Sequence, residues 1–314
     1  MISLIKNELT KIFAKKASWI YIIILFLAVI AVGVIQQKVF DLGPSDPNWR
    51  EDVQAEINEY QQILKENPDD EWTMDLIQQN QSYLDENIDP NAYSSWHFMN
   101  GTVIGMTMLI TLFSVIVGSA VVSSEFADGT IKQLLIRPHR RWEILLSKYI
   151  ATLIYSFSLL VALIIFGYIV GLVLFGAGDF NAKFFETTLE GYKLAVVGDQ
   201  FLLKVLYYLP SLLIIVSIAF MLSTIFKSQA LAVGIGIFVL FLSSTLGGII
   251  VLIAEKFAWA KLLIFPHLDL TVYALEDNIL QDVTLPMSLL ILAVYYIIFM
   301  ALTFTFFQKR DISI

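Results

Sequence analysis

Apolar positions in this chain gather into six long blocks, at about residues 17–36, 98–122, 145–175, 201–226, 229–254 and 286–307. Each is near or above the ~20 residues an α-helix needs to cross a hydrocarbon core of ~30 Å. Backbone N–H and C=O groups find no partners in lipid, so blocks of this length are expected to be transmembrane helices. The first block, Ala17 to Ile35, has only Ser18 as a clearly polar residue. Lys6, Lys11, Lys15 and Lys16 precede it as they would in a signal peptide. It is long for the apolar core of one, however, and Gln36-Gln37-Lys38 is no small-residue cleavage site, so a retained span is expected. The third block exceeds one crossing: either it is tilted, or Lys148 and Tyr149 lie at the interface and the membrane core starts later.

Between the blocks the periodicity changes. In residues 1–16, Ile2, Ile5, Leu9, Ile12 and Phe13 share one helical face, with Lys6, Lys11 and Lys15 around the other side. That pattern predicts an interfacial helix with its basic face towards anionic lipid, entering the first span through Trp19 and Tyr21. In residues 37–97, Trp49, Val53, Ile57, Tyr60 and Leu64 follow helical spacing. After Asn67-Pro68-Asp69-Asp70, so do Trp72, Leu76, Tyr83 and Ile88. A helical hairpin is expected there. From Asp41 to Asp89 it carries fourteen acids against Arg50 and Lys65, in no D-x-[DN]-x-[DN]-G calcium pattern. In residues 255–285, FAWAKLLIFPHL is broken by Lys261 and Pro266 and is too short to cross, which predicts a helix lying at or dipping into the membrane surface. Glycines spaced for close helix approach recur at Gly101 with Gly105 and Gly167 with Gly171, and Gly234-Ile-Gly236 opens the fifth span. The expected fold class is therefore an all-α integral membrane protein with six transmembrane helices. Residues 1–16 form an interfacial helix, 17–36 the first span, and 37–97 an acidic helical domain. Residues 98–314 hold spans two to six, with a connecting loop at 123–144 and an interfacial or re-entrant element at 255–285.

Composition agrees with this outline: the 314 residues are 57% hydrophobic and 15% charged, which excludes a water-soluble globule. Without Cys there is neither a disulfide scaffold nor a thiolate-ligated zinc or iron–sulfur site. A net charge of −8 argues against nucleic acid as a partner, and it is unevenly spread. Six spans put both termini on one side together with 123–144. That side holds twelve cations and five acids, the opposite side eight and twenty-three, for charges of +7 and −15. Cations in short loops stay inside. Both termini are therefore expected in the cytoplasm, and the 37–97 domain outside.

Candidate chemistry is sparse. The only ionisable residues in the blocks are Lys148 and Lys204, each near a span end, where snorkelling to the headgroups is expected. With no Asp, Glu, His or Arg near a midplane, an ion-coupled transporter is disfavoured. His97, His139 and His267 form no metal-ligand spacing, no G-x-S-x-G elbow occurs, and none of the 16 glycines precedes a Lys, so no Walker A cradle exists. This chain is not expected to be an enzyme or to bind a cofactor.

One segment is more specific. Ser124 to Lys148 reads SEFADGTIKQLLIRPHRRWEILLSK. Gly129 permits a turn, Thr130 to Ile136 suit a short amphipathic helix with Ile131, Leu134 and Leu135 apolar, and Pro138 ends it. Taken alone this is a basic loop. The pattern E-F-x-x-G-T-I-K-x-L-L-x-x-P-x-x-R followed by W-x-x-x-x-x-K resembles the signature loop of ABC-2 type permeases, the membrane subunits of bacterial ATP-driven exporters. The matching positions are Glu125, Gly129, Thr130, Ile131, Leu134, Leu135, Pro138, Arg141 and Lys148. The resemblance implies a permease whose 125–141 segment couples to a cytoplasmic ABC ATPase, with ATP and Mg bound by that ATPase and a second permease copy or homologue completing the path. An uncharged core fits a lipophilic or amphipathic cargo such as a peptide antibiotic. Glu125 would pair with Arg137 or Arg141, or cap the following turn. The enlarged acidic domain departs from the outline and supports an alternative: a non-transporting sensor or immunity subunit that binds cationic peptides outside the cell.

Overall fold

A computed structural model describes the chain except for residues 132–138, 189–190, 255, 281 and 311–314. It falls into two compact units. Unit 1 comprises Met1–Leu27, Gly105–Ile164 and Leu203–Ile314, and unit 2 comprises Ala28–Ile104 and Ile165–Leu202.

The chain is mostly helical. Among the described residues, five helices are long and apolar enough to cross a membrane, or six if one bent pair counts as a single span. After the N-terminal α1 (Ile2–Ala14) come α2 (Lys16–Lys38), a helical pair α3 (Trp49–Glu66) and α4 (Glu71–Asp85), and a short α5 (Ser95–Phe98). A π-helical turn at Met99–Val103 separates α5 from α6 (Thr107–Ala120), which α7 (Ser123–Ala127) extends. The long α8 (Arg141–Phe175), α9 (Val197–Ile225), α10 (Gln229–Ala254) and α11 (Leu285–Lys309) follow. The bent pair is α10, which turns by 42° between Ser243 and Thr245. With 35 residues, α8 rises roughly 50 Å at ~1.5 Å per residue, well beyond one hydrocarbon thickness.

In unit 2, α3 buries Trp49, Val53 and Ile57 against Ile77, Tyr83 and Leu84. Trp72, placed by its spacing on the same apolar face, is instead 70% exposed. Asp70 caps α4 by accepting from the Thr73 amide (3.3 Å) and hydroxyl (2.8 Å). Residues 183–188 and 191–196, not expected to form a sheet, pair antiparallel as β1 (Lys183–Thr188) and β2 (Gly191–Val196). The strand pair docks on the helical pair through an edge contact of Phe185 with Tyr83 and a Lys183–Glu86 ion pair of 3.1 Å. Gly171 lies where an added Cβ would meet Phe98 and the Ser95 backbone at 3.2 Å, and one at Gly167 would collide with Val103. Close helix approach thus holds for this pair, whereas Gly101, Gly105 and Gly234 face open space.

In unit 1, the stretch before α11 is not one surface helix. Pro266 and the spaced apolar residues break it into 3₁₀ turns at Ala258–Leu262, Phe265–Leu268 and Thr271–Ala274 and a small hairpin of β3 (Asn278–Leu280) and β4 (Val283–Thr284). Ile264, Leu270 and Tyr273 pack there with Ile214 and Leu292, while Phe257, Trp259 and Leu262 stay exposed. Within this core His267 takes two hydrogen bonds. Its Nε2 lies 2.9 Å from the Lys261 carbonyl and must donate, so in the neutral ring Nδ1 accepts from the Ser288 hydroxyl at 2.8 Å. Tyr273 hydroxyl completes the cluster, 2.7 Å from Ser288 Oγ and 2.9 Å from the Val283 carbonyl.

Candidate functional site

The densest buried charge in unit 1 lies at the end where the N-terminal helix, the 123–131 segment and the start of α8 meet. Local chemistry fixes each contributor. Between α1 and α2 the chain bends at Lys15. There the Ser18 hydroxyl donates to the Ile12 carbonyl (2.6 Å) and the Trp19 indole to the Phe13 carbonyl (2.8 Å), satisfying carbonyls that the end of α1 leaves open. The break between α6 and α7 is held by Ser223, whose Oγ accepts from the amides of Val122 (2.9 Å) and Ser123 (3.0 Å). At the start of α8, Glu143 reaches back to accept from the Arg140 amide at 3.0 Å, half of a capping box.

These elements bring Glu8, Lys11, Glu125 and Lys148 into one quartet. Lys148 Nζ donates to Glu8 Oε2 at 2.7 Å and to Glu125 Oε1 at 2.6 Å, and its side chain is only 1% exposed. Lys11 Nζ closes the ring with Glu8 Oε1 at 2.7 Å and Glu125 Oε1 at 3.1 Å. The expected snorkelling of Lys148 is therefore wrong: its stem and ammonium are both inside the protein. Two carboxylates and two ammonium groups cancel, which is what allows them to be buried. Burial pushes the Glu8 carboxyl up, but Lys148 and Lys11 outweigh it and hold the group below its usual range. Burial likewise pulls Lys11 down, and its bonds to Glu8 and Glu125 more than compensate, raising it.

Of the residues singled out by the signature, Glu125 enters the quartet, bonding Lys148 and Lys11 rather than Arg141. Gly129 has φ +70°, a left-handed turn that a Cβ would strain. Thr130 donates weakly to the Glu125 carbonyl (3.4 Å), and Ile131 is buried. Leu134, Leu135 and Pro138, and Arg137 with them, lie outside the described residues. Arg141 donates to the carbonyls of Gln308 (3.4 Å) and Arg310 (3.2 Å). Arg310 in turn donates to the Thr224 carbonyl at 2.6 Å and lies 4.3 Å over the Phe126 ring. Both ends of the described chain are thus tied to the segment that follows α6. Glu8 and Lys11 were not foreseen as partners of that segment. Their signal is Glu8 itself, the one acid in an otherwise basic helix.

Each unit has a cavity that adjoins charged residues. Unit 1 has a groove of about 570 Å³ beside the quartet. Unit 2 has a cavity of about 660 Å³ between the helical pair and the β1–β2 hairpin, lined by Arg50, Glu86, Asp89, Lys183 and aromatic side chains. The charges of the second are mostly spent locally: Lys183 on Glu86, Arg50 on Asn87 and the Trp49 ring, and Asp89 on Ser45 and the Asp46 amide. No group of three or more His, Cys, Asp or Glu among the described residues is arranged to hold a metal ion.

Comparison with known proteins places relatives beside this geometry. A family model described as "Protein of unknown function (DUF2705)" matches residues 72–313. "Uncharacterized protein YhcI" of Bacillus subtilis (strain 168) is 36% identical over 320 residues, covering both chains in full. "Uncharacterized membrane protein YdbK" of the same organism is 31% identical over 210 residues, 67% of this chain and 80% of its own.

Proposed function

The chain belongs to the DUF2705 family, and from that premise we propose that it is the membrane permease subunit of an ABC-2 type exporter, energised by a separate cytoplasmic ATPase. The observation that carries this reading is the quartet. It joins α1, Glu125 of the signature loop and Lys148 at the loop's far end by bonds of 2.6–3.1 Å. A push delivered to the 125–141 segment would then reach α1, α6 and α8 together rather than bending one loop. Coupling needs such stiffness, because a compliant attachment dissipates a rigid-body movement before it reshapes the path. The chain supplies no catalytic group of its own: ATP and Mg are held by the ATPase, and a second permease copy or homologue completes the path. The cargo is lipophilic or amphipathic. The protein resides in the bacterial plasma membrane, with both termini in the cytoplasm and the α3–α4 domain outside.

The test is assembly and flux. Leu134→Ala with Leu135→Ala removes the apolar contacts proposed to dock on the ATPase, each worth up to ~2–5 kcal/mol in a packed interior and less at a wetted interface. ATPase co-purification and ATP-dependent efflux should both fall at matched expression, with membrane insertion retained. Unchanged assembly and flux would reduce the segment to a basic loop. Sidedness is tested separately: cysteines at Ser3 and Ser45 in this Cys-free chain should be inaccessible and accessible, respectively, to an impermeant thiol reagent on intact cells. The sensor alternative draws on the cavity in unit 2. Deleting 45–90 separates the two: a sensor loses its response, and a permease keeps ATP-dependent flux.

A further inference from the structure

The groove beside the quartet has two chemistries along its length. Its wall is apolar, with Ala17, Tyr21, Val117 and Ala120, and its foot carries Lys11, Lys15, Glu125 and Asp128. Lys15 and Asp128 are exposed, and their side chains have no bonding partner among the described residues. Glu125 is only 9% exposed, and both lysines of the quartet use its Oε1. Its Oε2 is buried with no hydrogen-bond partner. A buried polar oxygen without a partner is costly, so it marks a place for an N–H donor that the protein does not itself supply. The foot lies where α1 turns into α2, between the exposed Lys15 and Lys16 and the exposed Trp19, the residue types that settle at lipid headgroups.

We propose that this groove binds one aminophospholipid from the leaflet on the side of the termini, its primary ammonium held by Glu125 and Asp128. The phosphate lies against Lys15 and an acyl chain runs along the apolar wall. Two carboxylates and a free lysine at the foot match a zwitterionic head that has both an ammonium and a phosphate. A choline head has no N–H to offer Glu125 Oε2, and a glycerol head has no positive charge. The inference concerns one chain and its lipid, and stands whether or not an ATPase partner exists.

The experiment is native mass spectrometry of the full chain in detergent with equimolar phosphatidylethanolamine, phosphatidylcholine and phosphatidylglycerol of matched acyl chains. One phosphatidylethanolamine should be retained about tenfold over either competitor, the ratio that one charge-assisted hydrogen bond supports. Lys15→Ala and Asp128→Asn should each reduce that ratio. Ala17→Trp, at an exposed lining position away from the quartet, should remove the bound lipid while leaving the thermal unfolding midpoint unchanged. Soluble phosphoethanolamine, which has the head without the chains, should not displace the lipid. Equal retention of all three lipids, retention that survives Ala17→Trp, or displacement by the soluble head would overturn the proposal. So would efficient disulfide linkage of two chains through Ala17→Cys, because a second copy would then fill the groove.

Discussion

Two buried polar clusters in unit 1 solve the same problem in opposite ways. The quartet of Glu8, Lys11, Glu125 and Lys148 buries full charges and relies on their mutual cancellation. The cluster of His267, Ser288 and Tyr273 buries neutral groups and satisfies them one hydrogen bond at a time. Removing a neutral partner leaves a dipole unsatisfied, whereas removing a charge leaves its partners uncompensated in a low-dielectric interior. The first cluster should therefore behave as a unit that forms or fails together, suited to transmitting a displacement. The second should behave as a set of local clips that fasten the turns before α11.

The largest effect is expected from Lys148→Met, which strands two carboxylates with only Lys11 beside them. Breaking a buried pair in this way costs about 3–5 kcal/mol, read as a fall in the thermal unfolding midpoint of the purified protein. Adding Glu8→Gln to it should recover about 1 kcal/mol or more, since the remaining Lys11–Glu125 pair is again balanced. A double variant no better than the single one would mean the four groups do not act as a unit. Tyr273→Phe in the neutral cluster should cost only about 1 kcal/mol, an ordinary buried hydrogen bond.

Acid sharpens the contrast. Burial holds His267 below its ordinary 6.5, against the pull of its bond to the Lys261 carbonyl. Unfolding lets it take a proton, so its contribution is intact above about pH 6.5 and weakens as pH falls below that value. The lowered Glu8 carboxyl contributes above its ordinary 4.5 and is lost only as pH drops through the still lower folded value. The raised Lys11 is lost only as pH climbs past 10.5 through its folded value. Stability measured from pH 7 to 5 should thus decline, and His267→Gln should flatten that decline while Glu8→Gln leaves its shape unchanged. A decline removed by Glu8→Gln instead would reverse the assignment.

The long helices were legible because lipid-length apolar runs have no other economical structure. What escaped the sequence was long-range. Lys148 reads as an interfacial cation until Glu8, 140 residues away, is known to face it. The pairing of β1 with β2 does have a local signal. Phe184, Glu186 and Thr188 alternate with Phe185 and Thr187, and Gly191 takes φ +109° at the return. Trp72 fits helical spacing yet is exposed, because α4 turns Ile77, Tyr83 and Leu84 towards α3 instead. The heart of the signature, Leu134, Leu135 and Pro138, lies outside the described residues.

The proposed permease role requires a separate ATPase to drive this chain. Its most direct test is purification of the tagged chain from native membranes at native expression, followed by identification of whatever accompanies it. The permease role predicts a stoichiometric cytoplasmic protein with a Walker A motif, present with the unaltered chain and lost with Leu134→Ala and Leu135→Ala. A chain that purifies from native membranes with no such ATPase would contradict it.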